Sequence, residues 1–460
     1  MDKKVWIIAS LGILLLFVNC NETENRKTTK TKTIETKKKE NRKLNFLGHW
    51  LDEGLKGKLV KEFVREYEFL HQDVDVNFKF NKELFDNRKG AIQDSFMLRQ
   101  LRMPVPEWDI IYLSSFQTYE KYLNDPGWAK KYLVDFSQIP EFCKNVRPEL
   151  LTDSFKNSYG GICPGIFLTK VNWVLWVNTD VAKKANINVK QFDMTFDDFL
   201  GYLKAVKDYN LSHNENIYPF LDASDWKTAA GLAYLLFTSK LNNVEELKNG
   251  QFSKAKLAAL EETLIQLERM SIIKPFPPEN ENLQWSKINK EILKDKCLFF
   301  YNASWMYNIW QMENEVKLKK AIMPVDPPVI GKQIIGFGNY LCDWSVLKNS
   351  PNVEQAIQFI VEMTKPYLSM KWTSYTKSLS GLKSTILNSS YGLDQFDTYN
   401  QRCEQRFGNK LFEVPYNSYL IFGNQAPAIE LHFLEVMQGK MLANDAIVQI
   451  RKELKNKGLL

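Results

Sequence analysis

The feature that most restricts the possible folds is an alternation of strand and helix patterns early in the chain. Residues 44–50 form a short apolar run, and apolar and polar residues alternate over 74–80 as they do in a strand. Apolar residues at helical spacing cover 55–67 and 92–101, and a third strand pattern follows at 108–113. This succession of strand, helix, strand, helix and strand predicts a parallel α/β sheet.

Polar and aromatic residues stand where the predicted strands end. In open α/β sheets, ligands bind beyond the carboxyl ends of the strands. His49 and Trp50 close the first strand, and Ser114, Ser115 and Gln117 follow the third. We therefore expect these five residues to lie at one rim of the sheet, beside a ligand.

The chain is too long for one core. It has 460 residues, of which 44% are hydrophobic, and single cores stop growing beyond about 250–300 residues. Further strand patterns occur at 173–178, 297–301 and 340–346. The sequence therefore predicts two α/β lobes.

The formal net charge of +7 is concentrated at the N-terminus. Residues 21–43 alone carry nine Lys or Arg and four Asp or Glu, which leaves residues 44–460 within about one charge of neutral. A nucleic-acid-binding domain is expected to carry a basic patch on its folded body. The charge distribution therefore argues against nucleic acid as a partner.

Residues 1–20 have the features of an export signal. Lys3 and Lys4 precede an apolar run over 5–18, which is shorter than the ~20 residues that a bilayer span needs. The run ends at Cys20 in a segment that resembles a bacterial lipobox, which predicts lipidation of this cysteine. The alternative is a plain signal peptide with an incidental cysteine.

Residues 21–43 consist mainly of Thr, Lys, Glu and Asn, with Ile34 as their one aliphatic residue. Such a segment buries too little apolar surface to offset the entropy of ordering. We expect a disordered basic tether between a lipid anchor and the folded body.

The remaining cysteines are Cys143, Cys163, Cys297, Cys342 and Cys403, and none belongs to a CxxC pair. With four histidines in the chain, no structural zinc pattern is present. We interpret these cysteines mainly as buried small hydrophobic residues, although one disulfide is possible in an exported protein. No metal or other cofactor is implied.

Several segments, in order along the chain, resemble a known family. They are residues 59–67, 108–111, 159–164, 174–180, 298–305, 354–360 and 439–447. Together they resemble the bacterial family-1 extracellular solute-binding proteins, the maltose- and glycerol-phosphate-binding relatives that serve ABC importers. The likeness extends over nearly the whole folded body.

The resemblance implies a type II periplasmic-binding-protein fold, in which mixed sheets flanked by helices form two lobes around a ligand cleft. Lobe 1 would comprise 44–165 and 338–375, and lobe 2 would comprise 166–337 and 376–460. The chain would cross between lobes near 165–170 and 336–339, where glycines permit hinge rotation. It further implies a non-catalytic monomer that captures a sugar-like solute and delivers it to ABC permease subunits. The protein would be exported and lipid-anchored to a bacterial membrane, facing the periplasm or the cell surface.

Further candidate ligand residues occur at the chain turns that the resemblance assigns to the cleft. They are Lys170, Asp222, Asp225, Trp226, Asn302, Ser304, Trp305, Gly338 and Asn339. The family's tryptophan at the position of Trp305 commonly stacks on ligand. For Asp222 and Asp225, capping the helix that follows is as well supported as contact with the ligand. We favour a neutral sugar as the ligand. An anionic ligand needs a dedicated Lys or Arg, and Lys170 is the only candidate for that role among these residues.

Two other functions remain open at this stage. A surface sensor or adhesin would use the same fold and anchor. An exported glycoside-acting enzyme would need two carboxylates about 5–10 Å apart across a cleft, and the spacing of Asp222 and Asp225 or of Asp52 and Glu53 is not distinctive. The chain contains no G-x-S-x-G, H-E-x-x-H or P-loop pattern.

Overall fold

The computed structural model describes residues 41–50, 54–85, 90–113, 116–222, 228–241, 246, 252–278, 283–331, 338–377, 380–383, 395–407 and 421–460. The export signal, Cys20 and residues 21–40 lie outside this range. The tether prediction extended too far, because Arg42 and Lys43 belong to the first strand. Arg42 pairs with Val74 in that ladder, and its guanidinium lies 2.6 Å from the Asp73 carboxylate.

The strands are β1 (Arg42–Gly48), β2 (Val74–Phe80), β3 (Ile110–Ile111), β4 (Gly165–Ile166), β5 (Thr169–Asn178), β6 (Tyr218–Leu221), β7 (Cys297–Ala303), β8 (Ile322–Val325), β9 (Gly338–Leu341) and β10 (Trp344–Val346). The helices up to the middle of the chain are α1 (Leu55–Leu70), α2 (Asn81–Phe85), α3 (Gly90–Arg102), α4 (Phe116–Leu123), α5 (Trp128–Tyr132), α6 (Pro140–Asn145), α7 (Asp153–Asn157), α8 (Thr179–Lys184) and α9 (Phe196–His213). The later helices are α10 (Thr228–Lys240), α11 (Lys254–Ile273), α12 (Trp285–Ile288), α13 (Met306–Ala321), α14 (Val353–Met363), α15 (Pro366–Thr376), α16 (Gln395–Phe407), α17 (Ala426–Met437) and α18 (Ala443–Asn456).

The first sheet has the strand order β2-β1-β3-β10-β4. β1 pairs in parallel with β2 and β3, as the alternation of strand and helix patterns predicts, whereas β10 is antiparallel to β3 and β4. Its core is aromatic: the ring of Phe46 lies 4.9 Å from that of Trp344, and Trp50 contacts Trp372 at the same centroid distance. Helix α1 packs here through a buried stripe that includes Leu59, Phe63 and Tyr67.

The second sheet has the order β6-β7-β5-β8, and β9 pairs with β5 outside this path. Both faces of this sheet are buried. Val174 and Trp176 of β5 contribute to one core cluster, while Leu175 and Val177 contribute to another on the opposite face. Two mixed sheets flanked by helices confirm the predicted two-lobed α/β fold.

Two short passages connect the sheets, one from β4 to β5 and the other from β9 to β10. Residues 340–346, predicted as one strand, are divided between β9 of the second sheet and β10 of the first. The buried Asp343 lies at the junction, and its Oδ2 accepts hydrogen bonds from the N–H groups of Leu168 (2.6 Å) and Thr169 (3.0 Å). This carboxylate ties the two passages together.

Local signals fix several helix starts on the second sheet. Thr195 and Asp198 form a capping box at the start of α9, and the Asn178 side chain accepts from the N–H groups of Asp180 and Val181 at α8. Within the described residues, no helix combines the length and the apolarity that crossing a bilayer requires.

A buried lysine in α11 gives the first testable prediction. Lys256 is 1% exposed, and its Nζ donates to the carbonyl of Ile421 and lies 5.4 and 5.6 Å from the ring centroids of Phe252 and Phe422. Burial lowers the pKa of Lys256 to about 8 from 10.5, partly opposed by the charge of Glu246. Between these two pH values the unfolded chain binds more protons, so this group makes the free energy of unfolding rise with pH.

The Lys256→Met variant lacks this pH dependence. Denaturant unfolding at pH 7 to 10.5 should therefore show the difference between wild type and variant changing by roughly 3 kcal/mol in favour of the wild type as pH rises. Lys254→Met, which alters an exposed lysine on the same helix, should give a constant difference. Parallel pH profiles for wild type and Lys256→Met would show that burial does not perturb Lys256.

Candidate functional site

A cavity of about 1030 Å³ lies between helices that flank the first sheet and helices that flank the second. One wall comes from α1 and the segment after β1, and the other comes from α12 and α13. Thr169 of β5 and Leu341 of β9, in the strands next to the passages between the sheets, also line it. Ligand sites commonly have about 300–1,000 Å³ and form between domains, so this cavity has the size and position of one.

The first wall presents an ordered aromatic pair. The ring of His49 stacks on that of Tyr112 with a centroid distance of 4.0 Å and an interplanar angle of 4°. The Nδ1 atom of His49 lies 3.3 Å from Oδ1 of the buried Asn81, which orients the imidazole. Next to it, Trp50 lines the cavity but is only 2% exposed, and its φ of 78° is uncommon for a bulky residue.

The second wall presents tryptophan rings. Trp305, half-buried at the start of α13, lines the cavity and contacts Trp173 edge-on with a centroid distance of 5.7 Å. Trp173 in turn stacks on Tyr301 of β7. This layer of rings holds the Trp305 indole in place, and the half-buried Trp285 adds a second tryptophan to the wall.

Polar groups accompany the rings. Thr169 Oγ1 and Asn289 Oδ1 are buried, and neither has a hydrogen-bond partner among the described residues. The backbone carbonyl of Asn289 accepts from Trp310 Nε1 at 2.5 Å, which fixes the residue. Both residues line the cavity, where they add polar side chains to its aromatic walls.

A family comparison identifies the chain. The model of the family described as bacterial extracellular solute-binding protein matches residues 53–366, more than half of the chain. This protein is a bacterial extracellular solute-binding protein. No sequence in a comparison with curated proteins matches it.

Solved structures share the fold of this solute-binding protein. An ABC substrate-binding protein from Listeria monocytogenes, in complex with cycloalternan, is 16% identical with a TM-score of 0.62 over 91% of this chain and 100% of its own. A binding protein from Bacillus subtilis in an open conformation has the same identity and TM-score over 90% and 97% of the two chains. A maltose-bound protein from T. maritima is 13% identical, with a TM-score of 0.61 over 90% and 99%.

Of the residues predicted from sequence, His49, Trp50 and Trp305 line the cavity of this solute-binding protein. Ser114, Ser115, Asp225 and Trp226 lie outside the described residues, as do the side chains of Gln117 and Asn339. The backbone of Asn339 belongs to β9, where it pairs with Val171.

Other predicted residues have structural roles away from the cavity. Lys170 is buried with its Nζ 4.9 Å from the centroid of the Tyr340 ring, and Gly338 is buried in β9 opposite Asn172. Asp222 accepts from the N–H of Ala229 at 2.7 Å, so it caps α10, as the alternative interpretation proposed.

Asn302 and Ser304 hold β7 against β5. Asn302 Oδ1 accepts from the N–H of Ala303 at 2.8 Å, and its backbone carbonyl accepts from Trp176 Nε1. Ser304 Oγ accepts from the N–H of Asn172 at 3.1 Å. These hydrogen bonds position Trp305, whereas the two side chains do not line the cavity.

Sequence reasoning missed several lining residues. Tyr112 directly follows β3, in a segment that the sequence predicts as a strand over 108–113, so the argument used for His49 could have found it. Trp285 and Asn289 follow a proline-rich loop whose path the sequence does not predict. The polar face of α1 also lines the cavity, and none of its residues was among the predicted ligand residues.

The two walls are in close contact at Gly54. This glycine has φ 64° and ψ −140°, and a Cβ built there would lie 2.5 Å from the carbonyl oxygen of Asn308 in α13. The Gly54→Ala variant should therefore lose roughly 2 kcal/mol of unfolding free energy, because it combines backbone strain with a steric conflict. Denaturant unfolding provides the measurement.

Gly201, exposed within α9, is the matched control. A Cβ added there meets nothing within 4 Å, so Gly201→Ala should stabilise the protein by about 0.5–1 kcal/mol. Equal effects of the two substitutions would contradict the close approach of α1 and α13 at Gly54.

Proposed function

We propose that this protein is the substrate-binding lipoprotein of an ABC importer and that it captures a sugar or an oligosaccharide in the cavity between its lobes. The observation that carries the proposal is the composition of that cavity in a member of this family. Trp305 on one wall and the His49–Tyr112 pair on the other supply ring faces, and Thr169 and Asn289 add polar side chains to the lining.

A sugar suits this combination of groups. Its ring has apolar C–H faces that pack on aromatic rings, and its hydroxyl groups need hydrogen-bond partners once they leave water. Relatives of known structure support the ligand class: the L. monocytogenes protein is in complex with cycloalternan, and the T. maritima protein is bound to maltose.

In the proposed mechanism, one lobe captures the ligand and closure about the passages between β4 and β5 and between β9 and β10 encloses it. The proposed lobes are 44–166 with 342–383 and 167–341 with 395–460. They differ from the bounds expected from sequence because Ile166 pairs with Trp344 in the first sheet, 338–341 pair with β5 in the second, and Leu382 packs in the core of the first. The closed form docks on the permease subunits and releases the solute. The protein performs no chemistry on the ligand and acts as a monomer.

The proposed location is the outer side of a bacterial membrane, facing the periplasm or the cell surface. Lipidation of Cys20 supplies the anchor, and the basic segment after it supplies the tether. Lysines and arginines near an anionic membrane surface add about 1 kcal/mol of attraction each, so the tether favours membrane contact.

A thermal-shift screen of the protein purified in detergent tests the proposed function. The panel contains sugars and oligosaccharides, polyols, amino acids and phosphorylated glycerol. An oligosaccharide at a hundredfold excess over its Kd should add about 2.7 kcal/mol of stability. Stabilisation by amino acids alone, or by no member of the panel, would contradict the proposal.

A further inference from the structure

The face of α1 that lines the cavity carries a row of cations. Lys58, Lys61 and Arg65 are exposed, and their spacing of three and four residues places them on one side of the helix. Within the part of the chain that the structure describes, none of the three forms an ion pair. Lys61 contacts the Phe80 ring, with its Nζ 5.3 Å from the centroid. We call these three residues the α1 cation row.

The carboxylates that line the cavity do not offset this row, because each has a partner of its own. Glu62 lies 3.0 Å from Lys371, and Glu313 lies 2.5 Å from Lys290 on the opposite wall. A fourth cation of α1, Lys56, is only 2% exposed and also lines the cavity. Leaving Lys56 aside, the α1 cation row gives this wall three positive charges that no described carboxylate pairs with.

This charge is a local feature. Residues 44–460 are together close to neutral, so a uniformly basic surface does not account for the row. Like charges on one side of a helix repel one another at a small cost in stability. A cleft lined by charges of one sign concentrates its field and attracts ligands of the opposite sign.

From this arrangement we propose that the ligand is an anionic oligosaccharide, a glycan whose carboxylate or sulfate group lies against the α1 cation row while a sugar ring packs on Trp305. The inference rests on the proposed function and narrows its ligand class. It replaces the neutral sugar favoured from sequence, because that preference assumed Lys170 to be the main cation available to the ligand. Lys170 is buried outside the cavity, whereas the α1 cation row lines it.

Titration calorimetry with matched ligands tests the inference. The detergent-purified full chain is titrated with a neutral oligosaccharide, the uronate-bearing form of the same backbone and its sulfated form. We expect at least one acidic form to bind about tenfold more tightly than the neutral form at low salt, with the preference shrinking at high salt. Whichever of the two acidic forms binds more tightly shows whether a carboxylate or a sulfate group is recognised.

The outcomes separate the two proposals. Equal or tighter binding of the neutral oligosaccharides, across several backbones, would overturn the inference and leave the proposed function standing. Failure of every oligosaccharide, neutral or acidic, would overturn both.

A charge-removal variant tests the residues themselves. Replacing Lys58, Lys61 and Arg65 together by glutamine should abolish the roughly tenfold preference for the acidic form over the neutral form. The control replaces Lys43, Arg102 and Lys144 by glutamine; these are two lysines and one arginine, all exposed and outside the cavity lining. Retention of the full acidic preference by the cavity variant, or an equal loss in the control, would overturn the assignment.

Discussion

Replacing Trp305 by alanine should weaken binding of the transported oligosaccharide by about 30-fold or more, which corresponds to roughly 2 kcal/mol or more. The indole lines the cavity and is held edge-on by Trp173, so it offers a preformed face to a sugar ring. Its removal takes away the stacking surface and leaves a void that water enters. Titration calorimetry with the best ligand of the screen gives the measurement.

Two variants control this prediction. Trp305→Phe keeps an aromatic face and should retain most of the affinity. Tyr122→Ala removes an aromatic side chain that is 50% exposed and does not line the cavity, so it should bind as the wild type does. Wild-type affinity in a folded Trp305→Ala protein would show that Trp305 does not contribute to ligand binding.

The Asp343→Ala variant should lose roughly 3 kcal/mol of unfolding free energy. The buried carboxylate of Asp343 accepts hydrogen bonds from the N–H groups of both Leu168 and Thr169. Each buried donor left without an acceptor costs about 1–3 kcal/mol. Because Thr169 lines the cavity and both sheets meet here, the variant should also bind ligand more weakly. Urea unfolding and calorimetry measure the two effects.

Asp208→Ala is the control for a lost carboxylate. Asp208 forms an exposed ion pair with Lys204 at i,i+4, and such pairs contribute about 0.3–0.5 kcal/mol. If Asp343→Ala were no more destabilising than Asp208→Ala, the carboxylate would not hold the passages together.

The parts of the fold that sequence predicted well are those governed by local periodicity. The strands β1 and β2 and the buried stripe of α1 follow from apolar residues at spacings of two and of three to four. The division of 340–346 between two sheets was not predictable in this way. The junction lies at Asp343, whose carboxylate accepts hydrogen bonds from backbone N–H groups about 175 positions earlier in the chain.

The site was predicted less completely, for a related reason. His49 directly follows a strand and Trp305 is the N-cap residue of a helix, and the sequence pattern indicates both positions. The α1 cation row carries no such mark, because periodicity shows which face of a helix is buried and says nothing of what its polar face lines. Only the packing of α12 and α13 opposite α1 makes that face part of a cavity.

The most direct test of the account is a crystal structure of the protein with the oligosaccharide that stabilises it most. The account predicts a sugar ring packed on the Trp305 indole, hydroxyl groups near Thr169 and Asn289, and the ligand enclosed between α1 on one side and α12 and α13 on the other. A sugar bound outside this cavity, with Trp305 untouched, would contradict it.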